Sequence, residues 1–83
     1  MDRQPVVSSN TRSVGYDAND SILEIEFNNG AIYQYFDIPE NIYSDLIYSD
    51  SIGGYLAHHI KGHFDTLAFS KNNKRAALAL LLL

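Results

Sequence analysis

Residues 23–27 (Leu-Glu-Ile-Glu-Phe) alternate apolar and acidic side chains without interruption. Successive residues of a β-strand point to opposite faces, so this alternation predicts a strand with one buried face and one solvent-exposed face. The sequence Asn28-Asn29-Gly30 that follows predicts a tight turn, because Gly30 can adopt a positive φ. Residues 31–37 then form the partner strand. The chain is therefore constrained to contain an antiparallel hairpin.

The length of this turn decides which face carries Tyr33 and Tyr35. A two-residue turn would place both tyrosines on the acidic face, whereas a three-residue turn with Gly30 as a bulge would place them on the apolar face. We favour the three-residue turn, because it leaves the polar side chain of Gln34 on the exposed face.

A third strand is predicted upstream of the hairpin. Residues 12–17 alternate weakly and place Val14 and Tyr16 on one face, and residues 17–20 (Asp-Ala-Asn-Asp) are typical of a turn. Residues 5–9 are a short extended segment that begins at a proline. The sequence thus predicts a three-stranded antiparallel meander.

Two helices follow the meander. Pro39 is suited to the first turn of a helix, and Asp50 or Ser51 can cap a second helix that Gly62 ends. Apolar residues recur at helical spacing in both segments: Ile42, Tyr43, Leu46 and Ile47 in the first, and Ile52, Tyr55, Leu56, His59 and Ile60 in the second.

A sheet with one apolar face and two amphipathic helices packs as two layers. We therefore predict an α+β fold of order β-β-β-α-α, with the helices over the apolar face. The 83 residues suffice for one domain spanning residues 1–83, with a core over residues 5–66 and a basic then apolar tail over residues 67–83.

The absence of cysteine and the lack of an apolar leader after Met1 favour a cytoplasmic protein. The net charge of −4 argues against general phosphate binding. However, residues 1–57 carry two cations against nine acids, whereas residues 58–83 carry four cations against one acid. An anionic partner is therefore expected to meet the C-terminal third.

Residues 76–83 are entirely apolar, but eight residues cannot span a bilayer, so we expect no membrane association. An exposed leucine run favours aggregation, so this segment is expected to be covered by the core or by another copy of the chain.

The chain resembles the KTSC domain, a small domain found at the C-terminus of some lysyl-tRNA synthetases and as free-standing bacterial proteins. The resemblance runs through Val7-Ser8-Ser9, Gly15-Tyr16-Asp17, residues 23–39 and residues 51–64. Its elements are spread along that length: Leu23, Phe27, Gly30, Tyr33, Tyr35, Pro39, Tyr43, Ser51, Gly53, Tyr55, Ile60 and Phe64.

The resemblance implies no established activity, and attachment to a tRNA synthetase implies only contact with RNA. Two positions depart from the family pattern. Ala57 stands where the family tends to have asparagine, and Leu56 stands where it tends to have phenylalanine. If that amide contributes to a site, the site is impaired in this chain.

Candidate RNA- or anion-binding residues follow from helix capping and from charge. Ser51, with glycines after it, could expose backbone N–H groups to a phosphate, although a plain helix cap explains it as well. The cations nearby are Lys61, Lys71, Lys74 and Arg75. An alternative site is a base-stacking surface of Tyr33 and Tyr35, which competes with a core role for both tyrosines.

Catalytic and metal sites are poorly supported. His59 and His63 have the i, i+4 spacing of a metal pair, but Gly62 interrupts their helix. A serine, histidine and aspartate are present without the nucleophile elbow or oxyanion hole of a hydrolase. We expect no catalytic residues, no metal and no cofactor.

The sequence therefore predicts a small non-catalytic binding module whose partner is RNA, such as tRNA, or another protein. Self-association through an edge strand or the leucine-rich tail is a further possibility, and a small metal-binding or enzymatic protein is the weakest one.

Overall fold

The computed structural model describes residues 1–70 and contains one antiparallel sheet with two helical segments. The strands are β1 (Gln4–Pro5), β2 (Thr11–Asp17), β3 (Ile22–Phe27), β4 (Ala31–Tyr35) and β5 (Thr66–Ser70). Helix α1 spans Glu40–Ile47, and helix α2 spans Ile52–Tyr55 and continues as a π-helical turn over Leu56–Ile60.

The α+β class is confirmed, but the prediction of three strands is wrong. The described sheet has five strands in the order β1-β2-β3-β4-β5, and both helices lie between β4 and β5 in the chain. The additional strands lie at the two edges of the sheet. Residues 67–70, which the prediction placed in the tail, belong to β5. The remainder of that tail, with its apolar run over residues 76–83, lies outside the described residues.

The three-residue turn between β3 and β4 is confirmed. Leu23 pairs with Tyr35 and Ile25 pairs with Tyr33, so both tyrosines lie on the apolar face. Gly30 has a φ of 89°, and its N–H donates to the carbonyl of Phe27 at 2.9 Å. A side chain at this φ would be strained, which explains why glycine occupies the position.

The helical segments begin and end close to the predicted residues. Pro39 is the residue before α1 rather than part of its first turn, with a φ of −69° and a ψ of 154°. The Ser51 hydroxyl caps α2 by accepting the N–H of Gly54 at 3.1 Å. Gly62, with a φ of 85°, follows the end of the π-helical turn and directs the chain toward β5.

The core lies between the apolar face of the sheet and the two helices. Leu23, Ile25, Leu46 and Ile60 are fully buried, which confirms the predicted two-layer packing. The remaining buried apolar residues join the same cluster: Val14, Tyr35, Ile38, Ile52 and Leu56.

The opposite face of the sheet is less exposed than the alternation predicts. Glu24 is only 8% exposed, because residues 1–3 lie over this face and bring the guanidinium of Arg3 onto its carboxylate. Gly15 lies under the same segment, and a Cβ at that position would come within 2.6 Å of the Asp2 carbonyl. The predicted solvent-exposed face is thus largely covered by the N-terminus.

Candidate functional site

A cleft of about 250 Å³ opens between the apolar face of the sheet and the second helical segment. We call it the sheet–helix cleft. Aromatic side chains form most of its sheet wall, and small or aliphatic residues form most of its helix wall. Its polar lining residues are two asparagines and one lysine. Its lining residues are Phe27, Ala31, Tyr33 and Tyr35 from the sheet, Gly53, Leu56, Ala57 and Lys61 from the helical segment, and Asn10 and Asn29 from loops.

The aromatic wall is fixed by contacts between its own rings. The rings of Phe27 and Tyr33 meet edge to face with centroids 5.4 Å apart, and those of Tyr33 and Tyr35 stack at 6.4 Å. Tyr35 is 2% exposed, and its burial raises the pKa of its hydroxyl above the ordinary tyrosine value. Repulsion from the Tyr33 phenolate is a smaller cause of the same shift. Of the two tyrosines, the half-buried Tyr33 offers more ring surface to a ligand than the buried Tyr35, and the stacking role of the pair stays a prediction.

Two loop asparagines, Asn10 and Asn29, also line the cleft. The Asn10 Oδ1 atom accepts hydrogen bonds from the hydroxyls of Ser8 and Thr11 at 3.2 and 3.1 Å. The Asn29 Oδ1 atom accepts the N–H of Ala31 at 3.0 Å. Neither NH₂ group has a hydrogen-bond partner within residues 1–70, so both are available to a ligand as donors, and the Asn29 Oδ1 atom keeps one free lone pair.

Asn10 also depends on the glycine of the facing helix. A Cβ at position 53 would come within 2.6 Å of the Asn10 Oδ1 atom. Any larger residue there would push the amide out of place. Gly53 therefore allows the loop carrying Asn10 to approach α2 closely at one end of the cleft.

Lys61 lies at the cleft, directly after the π-helical turn. Its N–H donates to the carbonyl of Leu56 at 2.8 Å, five residues earlier, and its own backbone is extended. Ala57 and Lys61 both line the cleft, while Leu56 and Ile60 are buried. Single π-helical turns of this kind are frequent at functional sites.

The other predicted anion-binding residues are not all brought together. Ser51 does not line the cleft, and its hydroxyl serves as the cap of α2. Lys71, Lys74 and Arg75 lie outside the described residues. They follow directly in sequence after β5, whose last residue, Ser70, pairs with the cleft residue Ala31.

The histidines do not form a metal site in the part of the chain that the structure describes. The ring of His59 packs against Tyr55 with centroids 4.5 Å apart, and His63 lies beyond the end of the helical segment. Within residues 1–70, no group of three or more potential ligands lies close enough to hold a metal ion. The same residues contain no helix with the length and apolar character needed to cross a membrane.

Sequence reasoning found Tyr33, Tyr35 and Lys61 but missed most of the cleft. Asn29 was interpreted only as a turn residue and Phe27 only as a strand residue. Asn10 offered no pattern at all, because its contact with Gly53 joins segments far apart in the sequence. The proximity of the Asn10 loop to α2 is a property of the tertiary fold and is not visible in the local sequence.

Comparison with known proteins places these features in a family. The family model of the KTSC domain matches residues 7–64, which include both loop amides and every cleft residue. A crystal structure of a KTSC domain protein from Yersinia pestis is similar with a TM-score of 0.80 and 36% identity. That match covers 83% of this chain and 97% of the other.

Curated sequences give the same result. A protein of Tsukamurella paurometabola is 35% identical over 78% of this chain and 97% of its own length. An uncharacterized protein of Stutzerimonas stutzeri is 43% identical over 64% of this chain and 75% of its own length. A lysine–tRNA ligase of Nostoc punctiforme is 34% identical over 64% of this chain, but the match spans only 9% of that enzyme.

Proposed function

The chain belongs to the KTSC domain family, and we propose that it is a non-catalytic binding module that holds an unpaired RNA nucleotide in the sheet–helix cleft. The observation that carries this proposal is the combination, in one cleft, of an aromatic wall with a lysine and two amide donors. No other part of the described chain combines a ring surface with a cation in this way.

The aromatic wall suits a flat ligand. Tyr33 and Phe27 are half-buried and are locked edge to face, so the remaining ring surface is held rigidly. A base stacked on such a ring is stabilised by about 1–3 kcal/mol, whichever base it is. The cleft volume fits a single base rather than a strand of several.

The polar groups of the cleft suit an acceptor-rich ligand. The free NH₂ groups of Asn10 and Asn29 and the ammonium of Lys61 are all donors, and a nucleotide offers phosphate and base oxygens to each. Specific recognition of RNA commonly uses unpaired nucleotides, whose bases are free to leave the helix.

Charge limits how much RNA the module can hold. The described residues contain three cations against ten acids, so an extended phosphate backbone would be repelled over most of the surface. Lys61 is the one cation in the cleft, and Lys71, Lys74 and Arg75 follow the strand at its side. Contact confined to one or two nucleotides agrees with this distribution.

The similarity to a segment of a lysine–tRNA ligase supports RNA as the partner. Of the three relatives described above, this enzyme is the one whose name refers to a nucleic acid. A cytoplasmic location agrees with such a partner and stays a prediction.

The proposal is tested by fluorescence anisotropy with a labelled single-stranded RNA and with tRNA at low salt. Tyr33→Leu should weaken binding roughly 5- to 150-fold, the equivalent of one lost stacked base. Lys61→Ala should weaken binding and also lower its salt dependence, because one phosphate contact is lost.

The matched control is Arg12→Ala, which removes one positive charge from the opposite face of the sheet, where Arg12 lies near Glu26. Circular dichroism should show that all three variants are folded. Equal loss of binding in Lys61→Ala and Arg12→Ala would show that only net charge matters, and would reject the cleft as the site. Absence of binding to either RNA at low salt would reject the function.

A further inference from the structure

Asn29, in the turn between β3 and β4, is the one asparagine of the chain that a glycine follows. A side-chain amide of asparagine is open to attack by the backbone nitrogen of the next residue, because this attack closes a five-membered ring. Glycine offers that nitrogen with no side chain beside it and with a freely rotating backbone. The Asn29-Gly30 pair is therefore the position at which this reaction is favoured.

The turn holds the amide of Asn29 in a position that suits the attack. The N–H of Ala31 donates to the Asn29 Oδ1 atom at 3.0 Å, and this hydrogen bond closes a ring of atoms that contains the Gly30 nitrogen. The Cγ atom is thus folded back toward that nitrogen. The same N–H stabilises the negative charge that develops on Oδ1 when the nitrogen attacks.

Solvent and space are available around the reacting atoms. Asn29 is exposed, and apart from the neighbouring residues in the chain nothing lies within 4 Å of the point where a Cβ of Gly30 would stand. The NH₂ group of Asn29 has no hydrogen-bond partner within residues 1–70, so it can leave. Asn28 is also exposed, but its Nδ2 atom donates to the Ser9 carbonyl at 3.0 Å.

One contact slows the reaction. The N–H of Gly30 donates to the Phe27 carbonyl at 2.9 Å, and its proton must be lost before the nitrogen can attack. The turn therefore has to open transiently. Such local opening does not require the sheet to unfold. The reaction should accordingly be slow in the folded chain and faster at higher pH.

We propose that Asn29 is a site of spontaneous deamidation, which weakens binding in the sheet–helix cleft. The Gly30 nitrogen gives its proton to hydroxide, and its electron pair forms a bond to Cγ of Asn29. The bond from Cγ to Nδ2 then breaks, and the amide nitrogen takes up a proton and leaves as ammonia. Water opens the cyclic imide. In sum, an amide and water become a carboxylic acid and ammonia, with no oxidation or reduction.

The imide opens at either of its two carbonyl carbons, so two products form. Opening at Cγ gives an aspartate, whose carboxylate can still accept the N–H of Ala31. Opening at the backbone carbon gives an isoaspartate, which adds one carbon to the main chain of the turn. Because the length of this turn determines the pairing of β3 with β4, the isoaspartate product should have the lower melting temperature.

Both products change the charge of the cleft. Asn29 lines the cleft, and its neutral NH₂ donor is replaced by a carboxylate that is ionised at neutral pH. Lys61 is the one cation among the lining residues, and a new negative charge opposes its attraction for a phosphate. This loss of affinity rests on the proposed function, whereas the reaction itself does not.

The first test follows the reaction in the full chain. The protein is incubated at neutral and at mildly alkaline pH, and peptide mass spectrometry measures the exchange of NH₂ for OH at each asparagine. Asn29 should be modified before every other asparagine of residues 1–70, and faster at the higher pH. An unmodified Asn29, or a rate at Asn29 no higher than at Asn28, would overturn the proposal.

The second test changes the attacking residue. Gly30→Asn keeps a residue that tolerates the positive φ but places a side chain beside the attacking nitrogen. The rate at Asn29 should fall about tenfold, the equivalent of a barrier about 1.4 kcal/mol higher. Asn28→Gln is the control and should leave the rate at Asn29 unchanged. Circular dichroism checks that both variants are folded, and an unchanged rate in folded Gly30→Asn would contradict the mechanism.

The third test measures the effect on the cleft. Asn29→Asp reproduces one product and should weaken RNA binding in the anisotropy assay about 3- to 10-fold, the equivalent of one lost hydrogen bond. Asn41→Asp makes the same charge change on an exposed residue of α1 outside the cleft lining, and should leave the affinity nearly unchanged.

Equal losses of affinity in Asn29→Asp and Asn41→Asp would overturn the effect of deamidation on the cleft. Absence of RNA binding by the unmodified chain would reject the proposed function and, with it, the loss of affinity. The mass measurement alone decides whether Asn29 is modified, so the two failures are distinguishable.

Discussion

The two faces of the sheet are both largely covered, but by different means. On one face, Leu23 and Ile25 are completely buried under the two helices. On the other, Glu24 and Glu26 are covered by the side chains of the N-terminal segment, with Arg3 between them. Along β3, side chains that pack in the apolar core thus alternate with side chains that are held by ion pairs and hydrogen bonds.

The difference concerns what happens when a contact is lost. Removing apolar volume leaves a cavity, and its cost grows with the size of that cavity. Removing one member of an ion pair leaves the other charge poorly solvated, and the cost depends on how much water can return. Substitutions on the helix-covered face should therefore lower the free energy of unfolding more. On the face covered by the N-terminal segment, a second substitution that removes the remaining charge should recover part of the lost stability.

The largest effect is expected for Ile25→Ala on the helix-covered face. Ile25 is fully buried and pairs with Val14 and Tyr33, so its truncation should lower the free energy of unfolding by about 2–5 kcal/mol. Urea denaturation followed by circular dichroism measures this change. A loss below about 1 kcal/mol would mean that this face is loosely packed, in contradiction to its complete burial.

A smaller effect is expected for Arg3→Ala on the N-terminal face. The Arg3 guanidinium lies 2.5 Å from Glu24 and also donates to the Ser13 hydroxyl at 3.0 Å. Its loss should cost about 1–3 kcal/mol, since Glu24 keeps its hydrogen bond from Gln34 at 2.8 Å but loses its counterion. Denaturation curves at low and high salt give the value.

Arg12→Ala is the matched control, because Arg12 is half-exposed and its nearest carboxylate oxygen, on Glu26, is 3.7 Å away. Its loss should cost less than about 1 kcal/mol. Adding Glu24→Gln to Arg3→Ala should recover part of the lost stability, as the uncompensated charge disappears. If Arg3→Ala and Arg12→Ala lower the free energy of unfolding equally, the expected difference between a buried and an exposed ion pair is contradicted.

The sequence predicted the parts of this fold that depend on neighbouring residues. The alternation in β3 identified the two faces, Gly30 and Gln34 identified the register of the hairpin, and Ser51 and Gly62 marked the ends of the second helical segment. Each of these inferences uses residues within a few positions of one another, where local geometry decides the outcome.

The features that the sequence did not predict depend on long-range contacts. Arg3 and Glu24 are 21 residues apart, and nothing local shows that the N-terminus crosses the sheet. Strand β5 is short, and both helical segments separate it in sequence from its partner β4. The cleft combines one loop, two strands, a turn and a helix, so no single segment carries its pattern.

Part of the helix-covered face is open, because the sheet–helix cleft lies there. The smallest effect on stability is expected for a substitution in this open part. Ala57 is exposed on the helix wall of the cleft. Ala57→Asn should change the free energy of unfolding by less than about 1 kcal/mol, because it fills no core volume and alters only helix propensity. The same substitution adds an amide to the helix wall that also carries Lys61, and this amide brings a further acceptor oxygen and two further donor hydrogens.

Under the proposed function, Ala57→Asn should therefore strengthen binding of single-stranded RNA several-fold, through one more hydrogen bond to the stacked base. Anisotropy titrations with four homopolymeric RNAs would show whether the gain favours one base, as a base-reading contact requires. His58→Asn is the control, since it adds the same amide one residue along, outside the cleft lining. A gain in affinity of equal size in both variants would assign the effect to the helix surface in general. A gain confined to Ala57→Asn would identify the sheet–helix cleft as the surface that contacts the base.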